Sequence, residues 1–297
     1  MATIPPKPWP TGTAEQIEPL VRRVLAPNPS PFTYTGTQTY IVGLGPGSGG
    51  GCAVIDPGPA EQAHFDALEA AIGGEHVVAI LCTHTHRDHS PASRELARRT
   101  GAPIVGCAPL AFDTAGPRAD EGFDPDYEPT RVLADGEAMT GPGWTLRAVA
   151  TPGHVSNHLC FALEESGAMF TGDHVMGWST SVVVPPDGDM GAYMQSLEKL
   201  YAREQDRIYY PAHGPAVDRP RQLVRGMIGH RRQRENQILR LLGEAESGRS
   251  VEALVPLMYK GLDPRLVKAA GLSVLAHLID LERRGLVVRS EEIWRRN

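Results

Sequence analysis

The most informative segment of this 297-residue chain reads Thr83-His84-Thr85-His86-Arg87-Asp88-His89. It follows Val77–Cys82, an uninterrupted apolar run that predicts a buried strand. The chain has 11 histidines, an average of one in 27 residues, whereas the six positions from His84 to His89 hold three. Neutral imidazoles and carboxylates grouped in this way suit Zn²⁺. The segment therefore predicts a metal site at the end of a buried strand.

Three later strands end in the same kind of cluster. Because open α/β sheets carry their sites at the carboxyl ends of the strands, we expect the four clusters to meet at one edge. The later strands and the clusters that follow them are Thr145–Ala150 with Thr151-Pro152-Gly153-His154, Ala168–Phe170 with Thr171-Gly172-Asp173-His174, and Arg207–Tyr210 with Pro211-Ala212-His213-Gly214.

The spacing of these residues predicts two metal ions. His84 and His86 are two apart on a strand end, so both side chains point the same way and can reach one ion. Asp88 and His89 lie beyond the turn and can reach a second ion. The remaining candidate ligands come from the other strand ends: His154 to complete the first site, His213 to complete the second, and Asp173, whose two oxygens could bridge both.

Two further histidines lie close to the predicted ligands in sequence. His174 follows Asp173 and, as a strand-end residue, should point away from the metals, either into the core or behind a ligand. His158 could hydrogen-bond to a substrate or simply cap its strand, and its position does not decide between these roles.

The segment Trp178–Pro186 (WSTSVVVPP) closely follows the predicted bridging aspartate. We expect it to form one wall of the substrate pocket. Met176, Trp178 and Tyr193 are the candidate lining residues, although all three would fit equally well in the core.

The composition predicts a globular protein of a reducing compartment. Charged residues make up 22% of the chain and the mean hydropathy is −0.25, which excludes a membrane protein and a disordered chain. No apolar run approaches the ~18 residues that a membrane span needs, and the first ten residues lack the features of a signal peptide. The four cysteines form no C-x-x-C pair, so we expect buried thiols in a cytoplasmic protein.

The charge changes sign near residue 219. Residues 1–218 contain 13 Lys and Arg against 26 Asp and Glu, a net charge of −13, whereas residues 219–297 contain 16 against 9, a net charge of +7. This change predicts a domain boundary.

We expect an extended, proline-rich lead-in with one short helix over residues 1–31, a catalytic domain over residues 32–218 and a helical domain over residues 219–297. The last would be a small winged-helix-like module built from Gln222–Glu246, Val251–Tyr259 and Arg265–Arg284 as helices and Leu286–Arg289 as a short strand.

In this order and spacing, the motifs T-H-x-H-x-D-H, T-P-G-H, T-G-D and P-x-H-G resemble those of the metallo-β-lactamase superfamily. Two earlier signatures agree, G-T-x-T-Y-I-V at 36–42 and V-I-D-P-G at 54–58. The resemblance covers about residues 32–218 and implies an α/β fold, the αβ/βα sandwich, with metals at one edge between two sheets. It implies the ligands named above, and it places Asp56 behind them, although Asp56 is equally explained as a turn residue before Pro57.

Within the superfamily, several groups do not match. True β-lactamases lack the bridging aspartate, flavodiiron proteins carry Glu in place of His86, β-CASP nucleases need a long insertion, and the tRNA-processing members carry an arm that is not found here. Glyoxalase II-like thioesterases, persulfide dioxygenases, lactonases and the beta-lactamase-like protein 2 family remain. The last matches best, because its members continue from a P-G-H-G-P-like turn, here at 211–215, into an H-R-x-x-R-E-x-Q-I-L-like run, here at 230–239, and a winged-helix-like tail.

The predicted pair of metal ions indicates a hydrolytic reaction. Two Zn²⁺, with Fe or Mn as alternatives, would share a water and lower its pKa toward ~7, producing hydroxide that attacks a carbonyl or phosphoryl centre. Asp88 is the candidate catalytic residue, since it could shuttle a proton as well as bind a metal.

The sequence leaves two main hypotheses for the substrate class. The strongly acidic catalytic part offers no broad basic track for a polyanion, which favours a small-molecule ester or thioester. The alternative, implied by the beta-lactamase-like protein 2 resemblance, is an endoribonuclease acting on single-stranded RNA. Its phosphate contacts would come from a cluster of arginines on one predicted helix, Arg225, Arg231, Arg232 and Arg234. Such a cluster more commonly forms a solvent-exposed face of a helix. Weaker alternatives are an iron-dependent persulfide dioxygenase and a non-catalytic nucleic-acid-binding protein. No membrane partner is expected, and the oligomeric state stays open, with a dimer among the possibilities.

Overall fold

The structure, a computed structural model, describes residues 9–110 and 122–297. Two β-sheets lie face to face, and helices cover both outer sides. This arrangement confirms the predicted αβ/βα sandwich. Residues 1–8 of the predicted lead-in lie outside the described residues.

The first sheet contains, in chain order, β1 (Ala14–Glu18), β2 (Val21–Leu25), β3 (Gln38–Val42), β4 (Gly51–Ile55), β5 (His76–Cys82), β6 (Ile104–Gly106) and β7 (Arg131–Val132). The strands keep this order across the sheet, antiparallel from β1 to β4 and parallel from β4 to β7. Side chains alternate between its two faces, as strand geometry requires. In β3, Tyr40 and Val42 face the interior of the sandwich, whereas Ile41 faces the helices.

Residues 14–25 correct the predicted lead-in with its short helix. They form the hairpin β1–β2, and β2 pairs with β3 from Val21 opposite Val42 to Leu25 opposite Gln38. Val21, Val24 and Leu25 are buried. Burial of these side chains therefore makes this extended segment part of the sheet, in place of the expected separate lead-in with a short helix.

The second sheet contains, in chain order, β8 (Ala138–Gly141), β9 (Trp144–Ala150), β10 (Leu159–Leu163), β11 (Ala168–Gly172) and β12 (Ile208–Pro211). Its order is β12-β11-β10-β9-β8, with β11 and β12 parallel and the other neighbours antiparallel. Phe170 packs against Tyr40 of the first sheet with ring centroids 5.0 Å apart. Contacts of this kind form the core between the sheets.

Helices cover the two outer faces. On the first sheet lie α1 (Gln62–Ile72) and α2 (Ala92–Thr100). On the second lie α3 (Met190–Tyr201) and the first half of α4 (Pro220–Gly243), which begins with a proline in its first turn.

The C-terminal part continues with α5 (Val251–Met258), a 3₁₀ turn (Pro264–Leu266), α6 (Val267–Arg283), and a hairpin of β13 (Val287–Ser290) and β14 (Ile293–Arg296). The three predicted helices and the first strand are present, whereas the sequence analysis missed β14. The helix α4 belongs to two cores, because Val224 and Met227 pack on the second sheet while Ile238 and Leu242 pack with α5 and α6. The C-terminal part is therefore built directly onto the sandwich.

Candidate metal centre

Four loops that follow largely buried strands meet at one edge of the sandwich. The segment Thr83–His89 follows β5, and the other three loops follow β9, β11 and β12. Because β9, β11 and β12 run in the same direction in their sheet, their carboxyl ends lie together. At the end of β11, Gly172 has φ 48°, and a Cβ there would lie 2.7 Å from both His158 Nε2 and Thr83 Oγ1. A residue without a side chain is thus needed just before Asp173.

The first group of converging side chains consists of His84, His86, His154 and one oxygen of Asp173. His84 Nε2 lies 2.9 Å from His86 Nδ1, and His154 Nε2 lies 3.3 Å from the same atom. Two ligands about 2.0–2.1 Å from one ion at a tetrahedral angle would be about 3.3 Å apart. The spacing of these nitrogens therefore fits a single ion.

The second group consists of Asp88, His89 and His213. Asp88 Oδ2 lies 3.2 Å from His89 Nε2 and 3.2 Å from His213 Nε2. Asp173 also reaches this group, since its Oδ1 is 3.2 Å from His213 Nε2 and 3.6 Å from His89 Nε2. Its other oxygen, Oδ2, is 3.8 Å from His154 Nε2 in the first group. The carboxylate of Asp173 thus lies between the two groups.

The donor set fits divalent metal ions. Within each group the ligand atoms lie within 4.8 Å of one another, and every residue is buried. His89 Nε2 and Asp173 Oδ1 are buried and make no hydrogen bond to any described residue, which is unfavourable unless a further partner lies between them. Imidazoles and carboxylates without a thiolate suit Zn²⁺ and are compatible with Fe or Mn.

The opposite ring nitrogens of three histidines contact orienting partners. His89 Nδ1 lies 3.0 Å from Asp56 Oδ2. His154 Nδ1 lies 2.5 Å from the carbonyl oxygen of Val182, and His213 Nδ1 lies 3.3 Å from that of Gly36. Donation to these oxygens fixes the tautomer in which Nε2 presents its lone pair to a metal.

The charges of the two groups differ. Burial lowers the pKa of His84 and lowers that of His154 to about 4, so both imidazoles are neutral, as metal ligands must be. Burial acts in the same direction on His213, but Asp173 and Asp88 raise its pKa to about 10. The carboxylates likewise raise the pKa of His89 despite its burial. Without a metal, protons on the second group balance the carboxylates, and a divalent cation would replace them.

Asp56 and His158 are both buried and contact candidate ligands or their neighbours on the side away from the cavity. Besides contacting His89, Asp56 accepts hydrogen bonds from the backbone N–H and the hydroxyl of Thr83, at 2.7 and 2.8 Å. His158 Nε2 accepts one from the backbone N–H of Asp173 at 3.2 Å, and its Nδ1 contacts Thr151 Oγ1 at 2.9 Å. His158 is 1% exposed, so the structure places it under Asp173 and not in the pocket.

The other candidates divide between core and pocket. His174 is buried with its ring 4.7 Å from that of Tyr193, and its nitrogens make no hydrogen bond to any described residue. Trp178 lines the cavity beside the two groups, together with Met176. That cavity has a volume of about 70 Å³, and Phe32 contributes another apolar wall. Tyr193 belongs to the core.

The sequence analysis did not identify several groups that orient the candidate ligands. Thr37 is fully buried and donates a hydrogen bond to Asp88 Oδ2 at 2.9 Å. It lies within the quoted 36–42 signature, which was the available signal. The carbonyls of Gly36 and Val182 are backbone groups, so residue type carries no signal for them.

Two buried groups of imidazoles and carboxylates, each able to hold a metal ion, lie at the edge of an αβ/βα sandwich. Comparison with known proteins agrees, since residues 33–213 match the family model described as Metallo-beta-lactamase superfamily. Residues 250–294 match the model described as Beta-lactamase associated winged helix domain. The chain therefore belongs to the metallo-beta-lactamase superfamily of hydrolases, with an associated winged helix domain, which confirms the resemblance seen in the sequence.

Three similar curated proteins are relatives of this chain. It is 35% identical over 189 residues to the Atrochrysone carboxyl ACP thioesterase of Aspergillus fumigatus, covering 63% of this chain and 54% of that protein. It is 35% identical over 243 residues to the Atrochrysone carboxyl ACP thioesterase AgnL7 of Paecilomyces divaricatus, covering 80% and 68%. It is 33% identical over 209 residues to the Beta-lactamase-like protein 2 homolog of Drosophila melanogaster, covering 69% and 68%. The match thus spans about half the length of the Aspergillus fumigatus protein.

Solved structures share the fold over nearly the whole chain. A metallo-beta-lactamase family protein from Thermus thermophilus matches with a TM-score of 0.74 at 25% identity, covering 95% of this chain and 100% of that one. A beta-lactamase domain protein from Burkholderia ambifaria matches with a TM-score of 0.78 at 20% identity, covering 97% and 94%.

Among the helices of the described residues, none combines the length and the apolar character that crossing a membrane requires.

Proposed function

We propose that this protein is a thioesterase that holds two Zn²⁺ ions and hydrolyses a thioester of a small molecule. The observation that carries the proposal is the position of Asp173, whose two oxygens face the two ligand groups. Support for a thioester comes from two relatives that are named thioesterases.

The two groups divide the work of holding the ions. His84, His86 and His154 would hold the first, the second group would hold the other, and Asp173 would bind both. Two ions held together lower the pKa of water, polarise a carbonyl oxygen and stabilise a leaving group.

Asp88 is the proposed hydrogen-bond acceptor for the attacking water. Burial alone would raise the pKa of Asp88, but His89 and His213 hold it below its usual value, so the group is a carboxylate at neutral pH. Its Oδ2 is fixed by the hydrogen bond from Thr37. Asp88 can therefore accept a hydrogen bond from the attacking water and orient it towards the substrate carbonyl.

The walls of the cavity favour an apolar acyl group. Phe32, Met176 and Trp178 line it, and the ring of Trp178 is held by stacking on Tyr34 with centroids 4.8 Å apart. Because the cavity is small, we propose that the reacting carbonyl and the adjacent acyl atoms enter it while the rest of the substrate stays outside.

The arginines of the RNA alternative are largely engaged within the fold. Arg231 is buried, Arg232 pairs with Glu198 at 2.8 Å, and Arg234 donates to the carbonyl of Met258. Arg225 is exposed. These side chains do not form a continuous surface for phosphates, so we favour the thioester.

The test combines metal analysis with substrate assays on the full chain. We expect about two zinc ions per chain by elemental analysis, and turnover of acyl thioesters that a chelator abolishes and Zn²⁺ restores. Cleavage of single-stranded RNA without thioester turnover would contradict the proposal. So would a single iron per chain with oxygen consumption on a persulfide.

A further inference from the structure

Arg231 of α4 is a buried cation for which the proposed reaction has no use. It is 4% exposed, and its Nη2 donates a hydrogen bond to the carbonyl oxygen of Ser181 at 2.5 Å. Its guanidinium carbon lies 5.2 Å from the centre of the Tyr193 ring. Burying a guanidinium against a carbonyl and a ring costs more than burying it against a carboxylate, so stability alone does not explain this residue.

The peptide that Arg231 binds is adjacent to one that contacts a candidate metal ligand. Val182 follows Ser181, and its carbonyl oxygen lies 2.5 Å from His154 Nδ1. Ser181 also anchors the segment through its side chain, because its Oγ donates to the carbonyl of His174 at 2.7 Å. The Tyr193 hydroxyl donates to the same carbonyl at 3.1 Å. Val182 also lines the cavity beside the candidate metal ligands.

We propose that Arg231 is a positioning residue for the metal centre, acting through residues 181–182 on His154. This inference rests on the proposed metal-dependent function. By fixing the Ser181 carbonyl, Arg231 holds the Val182 carbonyl where it orients the His154 imidazole with Nε2 towards the first ion. The guanidinium suits the role because its several N–H groups in a fixed fork let it donate to the carbonyl while it lies over the Tyr193 ring.

The neighbours of Arg231 on α4 extend this connection to the C-terminal helices. Arg234 lies over the ring of Tyr259 at 4.6 Å, and Glu235 pairs with Arg284, just after α6, at 2.5 Å. One face of the run at 230–239 thus attaches α4 to the winged helix domain, while Arg231 attaches it to the metal-site loop. The helix α4 therefore contacts both the C-terminal helices and the segment that orients the candidate ligand His154.

The test compares Arg231→Met with Arg232→Met, a matched control on the exposed neighbour. Each full-length, zinc-loaded variant is dialysed against increasing chelator, and the ions retained per chain are counted. Loss of an outer partner of a metal ligand typically weakens affinity about 10- to 100-fold, and we expect about 10-fold for Arg231→Met because it acts through one peptide. Arg231→Met should release one of two ions at a chelator concentration at which the wild type and Arg232→Met keep both.

A second variant and a second readout separate positioning from folding. Because Arg231→Met removes buried contacts and can fail to fold, Arg231→Lys is measured too, with an expected affinity loss between those of the wild type and Arg231→Met. The Co²⁺-substituted proteins should show a changed visible spectrum for Arg231→Met at a temperature where the protein is folded. Wild-type affinity and an unchanged spectrum in a folded Arg231 variant would overturn the inference. If the wild type binds metal but hydrolyses no thioester, the proposed function fails, while the affinity comparison still tests Arg231.

Discussion

His89 contacts Asp56 through its Nδ1, 3.0 Å from the Oδ2 of the carboxylate, and both side chains are buried. The same carboxylate accepts two hydrogen bonds from Thr83, at the start of the ligand-bearing segment. Asp56 follows β4, and Thr83 and His89 follow β5, so one carboxylate connects two adjacent strand ends. This connection fixes both the direction of the segment and the face of the His89 ring.

Replacing Asp56 should therefore weaken the second metal site. In Asp56→Asn, the amide group can no longer accept all three hydrogen bonds, and the His89 ring loses its preferred tautomer. We expect metal affinity about 10- to 100-fold lower, measured by competition with a chromogenic chelator. Asp66→Asn, on an exposed position of α1, is the control and should match the wild type. Equal affinities for the two variants would show that Asp56 is merely a turn residue.

Asp173→Ala tests the proposed bridge. Removal of the carboxylate between the two groups should lower the number of bound ions per chain and reduce thioester turnover by at least about 100-fold. Elemental analysis and a thiol-release assay on the same sample measure both effects. Asp218→Ala removes an exposed carboxylate and should leave both values unchanged. Two ions with full activity in Asp173→Ala would refute the bridge.

The strands that carry the candidate ligands were predictable, whereas β2 was not. Each of the former is largely apolar and ends in a polar cluster, and in β9 the one charged residue, Arg147, is on a partly exposed position and pairs with Glu164 on the neighbouring strand end. In β2, Arg22 interrupts the pattern, yet it is buried and pairs with Glu75 at 2.5 Å. Because its partner lies more than 50 residues away, the compensation for burying the charge is invisible in the local sequence.

The candidate site also contains residues that could be predicted from the sequence and residues that could not. His84, His86 and the other proposed ligands could be named because their residue types and spacing carry the chemistry. The carbonyl of Val182 could not be named, since its role depends on where a loop passes. Arg231 was visible as part of a cationic run, but the sequence did not distinguish a buried face of α4 from a solvated one.

Phe32→Ala tests the apolar side of the cavity. Phe32 lines the cavity and is 43% exposed, so a bound acyl group would bury more of the ring surface. Partial loss of a Phe contact corresponds to about 1 kcal/mol, which predicts a KM about fivefold higher for long acyl thioesters, with little change in kcat. The effect should shrink for acetyl thioesters. Leu44→Ala, at a position that is 55% exposed in a Gly-rich turn, is the control. Equal KM values for the two variants would argue against this wall.

His277 should make the stability of the protein depend on pH. It is 4% exposed in α6, and burial, helped by Arg231 and other nearby cations, lowers its pKa to about 3. The unfolded chain takes up this proton below about pH 6.5, whereas the folded protein takes it up only near pH 3. His277 therefore has no effect on stability above about pH 6.5 and lowers the free energy of unfolding progressively as the pH falls from about 6.5 towards 3. We expect His277→Gln to make the free energy of unfolding less dependent on pH, by about 1 kcal/mol per pH unit between pH 6 and 4. Urea titrations of the metal-free proteins measure this, because the other histidines titrate in both and cancel in the comparison. His76→Gln, which changes an exposed histidine, should keep the wild-type dependence. The same pH dependence in His277→Gln and the wild type would show that His277 does not stay neutral in the folded protein.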